Sequence, residues 1–169
     1  MDPGDGDFEA FVAARGPRLL RMAWLLTGDA HLAEDLLQST LAKVWPKWPR
    51  IARDRPEAYV RKSLVNLHAS WWRRRWRGEL PYGEVPDAVG TFDAYAEVDL
   101  EQSLAAAVRA LPVRQRAVVV LRYFEDLSVD DTAATLGCTP GTVKSQAARA
   151  LSSLRVALPA FVEGGDRCG

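Results

Sequence analysis

The sequence predicts an all-α protein built as two small helical domains joined by a flexible acidic linker. Three observations carry that expectation. Apolar residues recur at the roughly 3.6-residue spacing of a helix and nowhere alternate as a half-buried strand would require. From about Gly78 to Val98 the period is lost and Pro81, Gly83, Pro86 and Gly90 accumulate. Periodic segments of small-domain size lie on either side, so the first domain is placed at residues 8–77, the linker at 78–98 and the second domain at 99–158.

The first helix is marked by Phe8, Phe11, Val12, Leu19, Met22, Ala23 and Leu26, which fall close to one face. Gly16-Pro17 lies inside it and predicts a kink or short break, because proline lacks the N–H that a helix interior needs. Thr27-Gly28-Asp29 makes a turn from which Asp29 caps a second helix through Leu32, Leu36, Leu37, Leu41, Val44 and Trp45, ended by Pro46 and Pro49. A third helix starts near Asp54-Arg55-Pro56-Glu57, with Asp54 and Glu57 at capping-box spacing, and continues through Tyr59, Val60, Leu64, Leu67 and Trp71 into RRRWR. Beyond the linker, a helix from about Leu100 to Leu111 is punctuated by Pro112 and followed by VRQRAVVVLRYF to about Phe124. A shorter helix opens with Ser128 and Asp131 at capping-box spacing and stops at Gly137; the last takes Thr139 as N-cap and Pro140 as its first residue, and runs to about Leu158.

Composition narrows the function. The formal net charge is +0, yet the charges are laid out in blocks. From Lys43 to Arg77 there are eleven Lys/Arg against Asp54 and Glu57, whereas Glu79 to Glu101 holds seven carboxylates and no basic residue. A basic block of that density suits a polyanion. The first residues, MDPGDGD, do not resemble a secretory signal, and no apolar run approaches the roughly 20 residues that span a bilayer, so a cytoplasmic protein without membrane insertion is expected. Cys138 and Cys168 have neither a CxxC partner nor a nearby histidine, so no metal site or disulfide framework is expected.

The segment LSVDDTAATLGCTPGTVKSQAARALSSLR has the layout of a helix-turn-helix. Val143, Ala147, Leu151 and Leu154 share a stripe that can face Ala133, Leu136 and the VVVL helix, while Thr142, Ser145, Gln146 and Arg149 share another. Gln and Arg can make bidentate contacts to adenine and guanine edges, and Thr, Ser and Lys144 can reach phosphates or bases. A polar stripe is also what any solvated helix face looks like, and spacing alone leaves both readings open. From LPVRQRAVVVLRYF to its end, however, this region resembles the fourth conserved region of sigma factors of the extracytoplasmic-function (ECF) type, in the sigma-70 family. That resemblance implies that Thr142, Lys144, Ser145, Gln146 and Arg149 read the minus-thirty-five promoter element; many relatives carry a basic residue at the position of Gln146.

AEDLLQSTLAKVW, in the second helix, places Leu32, Leu36 and Val44 inward and leaves Glu34, Asp35, Gln38 and Ser39 outside. It resembles the family's AEDLVQE motif, which implies docking of Asp35 and Gln38, with Glu34 and Ser39 beside them, on the clamp helices of the largest subunit of core RNA polymerase. The third helix interleaves cations with Tyr59, Trp71, Trp72 and Trp76, a pattern that suits single-stranded or melted DNA because cations neutralise phosphates and exposed rings stack on unpaired bases. Some of these rings are expected in the core, and Trp71 and Trp72, about 100° apart on a helix, are not expected to be equally buried. PEAYVRKSLVNLHASWWRRRWR resembles the family segment that recognises and melts the minus-ten element, implying contacts from Arg61, Lys62, Asn66, Ser70, Arg73 and Arg74; the family's usual polar residues are replaced by Trp71-Trp72.

The resemblances span residues 8–77 and 100–158 and imply a non-enzymatic sigma factor whose partners are core RNA polymerase and promoter DNA, with an anti-sigma factor common in the family. A stand-alone helix-turn-helix regulator is the alternative, but it leaves the AEDLLQ helix and the tryptophan-rich basic helix without a duty. An enzyme lacks support, since there is no Gly-rich phosphate loop or HExxH, His31 and His68 stand alone, and no cofactor is implied.

Overall fold

A computed structural model describes the backbone of residues 3–76 and 96–158, and all of its regular elements there are helical. The chain divides into two compact units, Met1–Pro86 and Asp87–Gly169. The expected linker falls mostly outside the described residues, as does Trp76's side chain.

The N-terminal unit contains α1 (Pro3–Thr27), α2 (Ala30–Val44), a 3-10 turn (Trp45–Lys47), the single-turn α3 (Trp48–Ile51) and α4 (Pro56–Trp76). Asp29 caps α2 as expected: its backbone is extended and its Oδ1 accepts the Leu32 N–H at 2.9 Å. Leu26 of α1, Leu36 and Val44 of α2, and Val60 and Leu64 of α4 are almost completely excluded from water. Each such side chain contributes about 1.5–3 kcal/mol when fully buried. An aromatic cluster joins the start of α1 to the turn after α2, with Phe8 edge-on to Trp45 at 4.8 Å and to Trp48 at 5.1 Å, and Phe11 tilted on Trp48 at 4.9 Å.

Several local expectations change here. α1 continues through Pro17 without a break, because packing of its flanking turns along α2 and α4 outweighs one missing hydrogen bond. Pro46 and Pro49 do not simply stop the chain from coiling; each occupies a starting position of the next turn, where an absent N–H costs nothing. The capping box at Asp54 is out of register, since α4 starts at Pro56 after Arg55 in a left-handed conformation, φ 47°. Glu57 instead meets Arg15 of α1 at 3.5 Å and Arg61 of its own helix at 3.5 Å. Trp71 and Trp72 are both half-buried, and among the described side chains of this unit the buried tryptophan is Trp48.

The C-terminal unit contains α5 (Ala96–Ala110), α6 (Val113–Val119) continued by a π-helical turn (Val120–Phe124), α7 (Val129–Leu136) and α8 (Pro140–Ala157). α5 starts four residues before the expected Leu100. Its end is held by Arg116 of α6, whose Nη2 donates to the carbonyls of Arg109 at 2.5 Å and Leu111 at 3.2 Å. Burial, and then the positive charge of Arg109, push the Arg116 guanidinium below its ordinary pKa. Val118, Ala133 and Val143 bring α6, α7 and α8 together.

Candidate nucleic-acid and partner interfaces

The helix-turn-helix is assembled by three local devices. Ser128 accepts the Asp131 N–H at 3.0 Å and starts α7. Gly137 ends it at φ 68°, ψ 35°, and the Ala133 carbonyl accepts both the Gly137 and the Cys138 N–H. Thr139 then accepts the Thr142 N–H at 3.2 Å and starts α8. Val143 and Ala150 are fully buried and Ala147, Leu151 and Leu154 half-buried, so the apolar stripe faces the core as expected. Lys144, Ser145 and Arg149 are exposed on the other side, with Thr142 and Gln146 half-exposed. The Thr142 hydroxyl lies 3.0 Å from that of Thr139, which orients it at the helix start.

The π-helical turn before α7 was not foreseeable from periodicity, yet it shapes this unit. The Glu125 N–H reaches back to the Val120 carbonyl at 3.0 Å, one residue farther than in an α-helix. Arg122 thereby donates to the Leu127 carbonyl, immediately before the Ser128 cap, while its guanidinium lies 5.8 Å from the exposed Tyr123 ring.

In the N-terminal unit, α2 presents Glu34, Asp35 and Gln38 to solvent as one outward row, with Ser39 half-buried at its edge. Leu36 and Val44 are buried behind it and Leu32 is half-buried.

The residues expected on the single-strand surface separate into two groups. Asn66 and Ser70 come together in an open pocket of about 250 Å³, joined by Tyr59 and Ser63 of α4 and by Lys43, Val44 and Lys47 from the end of α2 and the 3-10 turn. Positions 59, 63, 66 and 70 form one stripe of α4 at spacings of four, three and four. The pocket therefore has an aromatic wall, two ammonium groups and several neutral hydrogen-bonding groups. Lys62, Arg73 and Arg74 are exposed but do not line it. Arg61 is turned inward, its side chain only 12% exposed beside Glu57. Sequence reasoning counted Lys43 and Lys47 in the basic block without assigning them to a site; their i, i+4 spacing opposite the polar stripe of α4 was the available signal.

Comparison with known proteins places each unit. The family model described as Sigma-70 region 2 matches residues 11–78, and that described as Sigma-70, region 4 matches residues 101–154. The chain is 40% identical over 151 residues to the RNA polymerase sigma-E factor of Streptomyces avermitilis, covering 88% of this chain and 83% of that protein. It is 32% identical over 170 residues to the ECF RNA polymerase sigma factor EcfG of Rhodopseudomonas palustris, covering 94% and 87%. Among solved structures, the sigma factor RpoE in complex with the anti-sigma factor NepR from Bartonella quintana is similar with a TM-score of 0.72 and 31% identity over 90% of this chain and 97% of that one. CnrH, solved with the cytosolic domain of CnrY, shares the fold at a TM-score of 0.65 and 23% identity, over 90% and 88%.

Proposed function

Because the chain belongs to the sigma-70 family, as an RNA polymerase sigma factor of the ECF kind, we propose that its two units divide promoter recognition between them as follows. The unit at 8–77 docks on the clamp helices of core RNA polymerase through Glu34, Asp35, Gln38 and Ser39. The same unit holds the melted minus-ten strand through Lys62, Asn66, Ser70, Arg73 and Arg74, with Arg61 steadied by Glu57 beneath that surface. The unit at 99–158 reads the minus-thirty-five element with Thr142, Lys144, Ser145, Gln146 and Arg149, and residues 78–98 connect them.

The observation that carries this reading is the pocket shared by Asn66 and Ser70 with Lys43 and Lys47. A base leaving the duplex loses a few kcal/mol of stacking and pairing. The Tyr59 ring and the two ammonium groups can offset that loss by stacking and by neutralising the adjacent phosphates. The protein itself carries out no covalent step in this scheme. The solved complex of the Bartonella quintana relative with an anti-sigma factor supports a similar partner for this chain.

The test is promoter-directed transcription with purified core polymerase. Asp35→Arg is expected to abolish association with core, whereas Asn66→Ala is expected to leave association intact and impair opening of the minus-ten element. If the well-folded wild-type chain does not associate with core at low ionic strength, the proposal is wrong.

A further inference from the structure

Beside the outward row of α2 lies a groove for which the docking reading above has no use. It runs between α1 and α2, encloses about 290 Å³, and is walled by Pro17, Leu20 and Trp24 on one side and Ala30 and Ala33 on the other, with the charged Arg21 of α1 and Glu34 of α2 completing its lining. Its origin is visible in the sequence of α2. Farther along the helix Leu37 and Leu41 are buried, filling the space behind the outward face, but at its start Ala30 and Ala33 offer only methyl groups and the interface stays open. Burying a partner's apolar side chain in an open, largely apolar concavity is favourable because it removes apolar surface from water.

Glu34 belongs both to this groove and to the docking row of Glu34, Asp35 and Gln38. A partner helix lying along that row therefore crosses the mouth of the groove. We propose that the groove receives one bulky apolar side chain, of leucine or aromatic size, from the segment of core polymerase that docks on Glu34, Asp35 and Gln38. The segment that fits has a cation facing Glu34 and Asp35 and, about one helical turn away, the apolar side chain that enters between Ala30 and Trp24. The charged row sets position and register, and the groove supplies the desolvated anchor typical of an interface hot spot. This inference rests on the docking reading.

The experiment measures the affinity of the full chain for purified core polymerase by competition. Ala30 is exposed at the first position of α2, so a larger side chain there can lie in the groove without entering the core. Ala30→Trp is expected to weaken core binding at least tenfold, about 1.4 kcal/mol, while Ala58→Trp, the same change at an exposed position of α4 outside both the groove and the docking row, binds as wild type. Ala30→Met, which fills less of the groove, replaces Ala30→Trp if the latter loses helical content, and is expected to weaken binding at least threefold. Asp35→Arg is measured in parallel. If Asp35→Arg abolishes binding while the folded groove-filling variant matches wild type or binds more tightly, the groove is empty in the complex and the inference is overturned, leaving docking intact. If Asp35→Arg also binds normally, the docking reading fails and the inference with it.

Discussion

Replacing Gly137 by alanine isolates a single backbone cost at the hinge of the helix-turn-helix. Gly137 has φ 68° and ψ 35°, and a Cβ built there meets no atom within 4 Å. Sterics with neighbours therefore contribute nothing, and the penalty is the intrinsic one for an L-residue in the left-handed region, about 1–2 kcal/mol. Alanine also restricts the unfolded chain, which returns about 0.4–1 kcal/mol in an unstrained site. The net expectation is a loss of about 1 kcal/mol, concentrated in the C-terminal unit. For a domain of this size that corresponds to a fall in melting temperature of roughly 4–8 °C. Asparagine, which visits the left-handed region more readily, should lose less. The assay is thermal and urea unfolding of wild type, Gly137→Ala and Gly137→Asn, followed by helical circular dichroism. A Gly137→Ala protein that unfolds within about 1 °C of wild type, well below the expected shift, or an asparagine variant less stable than the alanine one, would refute the reasoning.

Three further outcomes follow from the surfaces. Gln146→Ala with Arg149→Ala should weaken transcription from promoters that depend on the upstream element, each lost base contact costing about 1–3 kcal/mol, while core association stays unchanged; equal loss on promoters lacking that element would contradict it. Lys43→Gln with Lys47→Gln should flatten the salt dependence of binding to a minus-ten single strand by about 1.4 in the log–log slope, since each phosphate neutralised contributes about 0.7; titrations at several salt concentrations measure it, and an unaltered slope would remove both lysines from the strand path. Arg116→Lys should destabilise the C-terminal unit by about 1–2 kcal/mol, because the shorter lysine stem does not carry its ammonium to the place from which the guanidinium Nη2 donates to both carbonyls; an unchanged urea midpoint would show that this cap contributes little.

Much of this architecture was legible in the sequence where one residue type has one local physical use. Asp29, Ser128 and Thr139 cap helices as expected, and Gly137 takes the left-handed position that its lack of a Cβ permits. Features decided by non-local packing were not legible. Pro17 fits inside α1 because the helix is held along its length by α2 and α4. The π-helical turn at Val120–Phe124 is accompanied by Arg122 reaching the Leu127 carbonyl, a contact with no periodic signature. The functional surfaces behaved similarly: the outward rows of α2 and α8 follow from helical spacing, but the pocket that joins Lys43 and Lys47 to Asn66 needs two helices to meet. Arg61 is a different case, a cation in the basic block whose side chain lies mostly out of solvent beside Glu57, one helical turn before it.

The aromatic knot of Phe8, Phe11, Trp45 and Trp48 ties α1 to the turn that carries Lys47, so rings remote from the proposed strand pocket help set its shape. Lys47 stands between the two tryptophans that Phe8 braces, so trimming the chain past that phenylalanine would slacken the loop presenting this ammonium group. Loss of that ring would therefore mimic a strand-binding defect while every residue of the pocket remained in place.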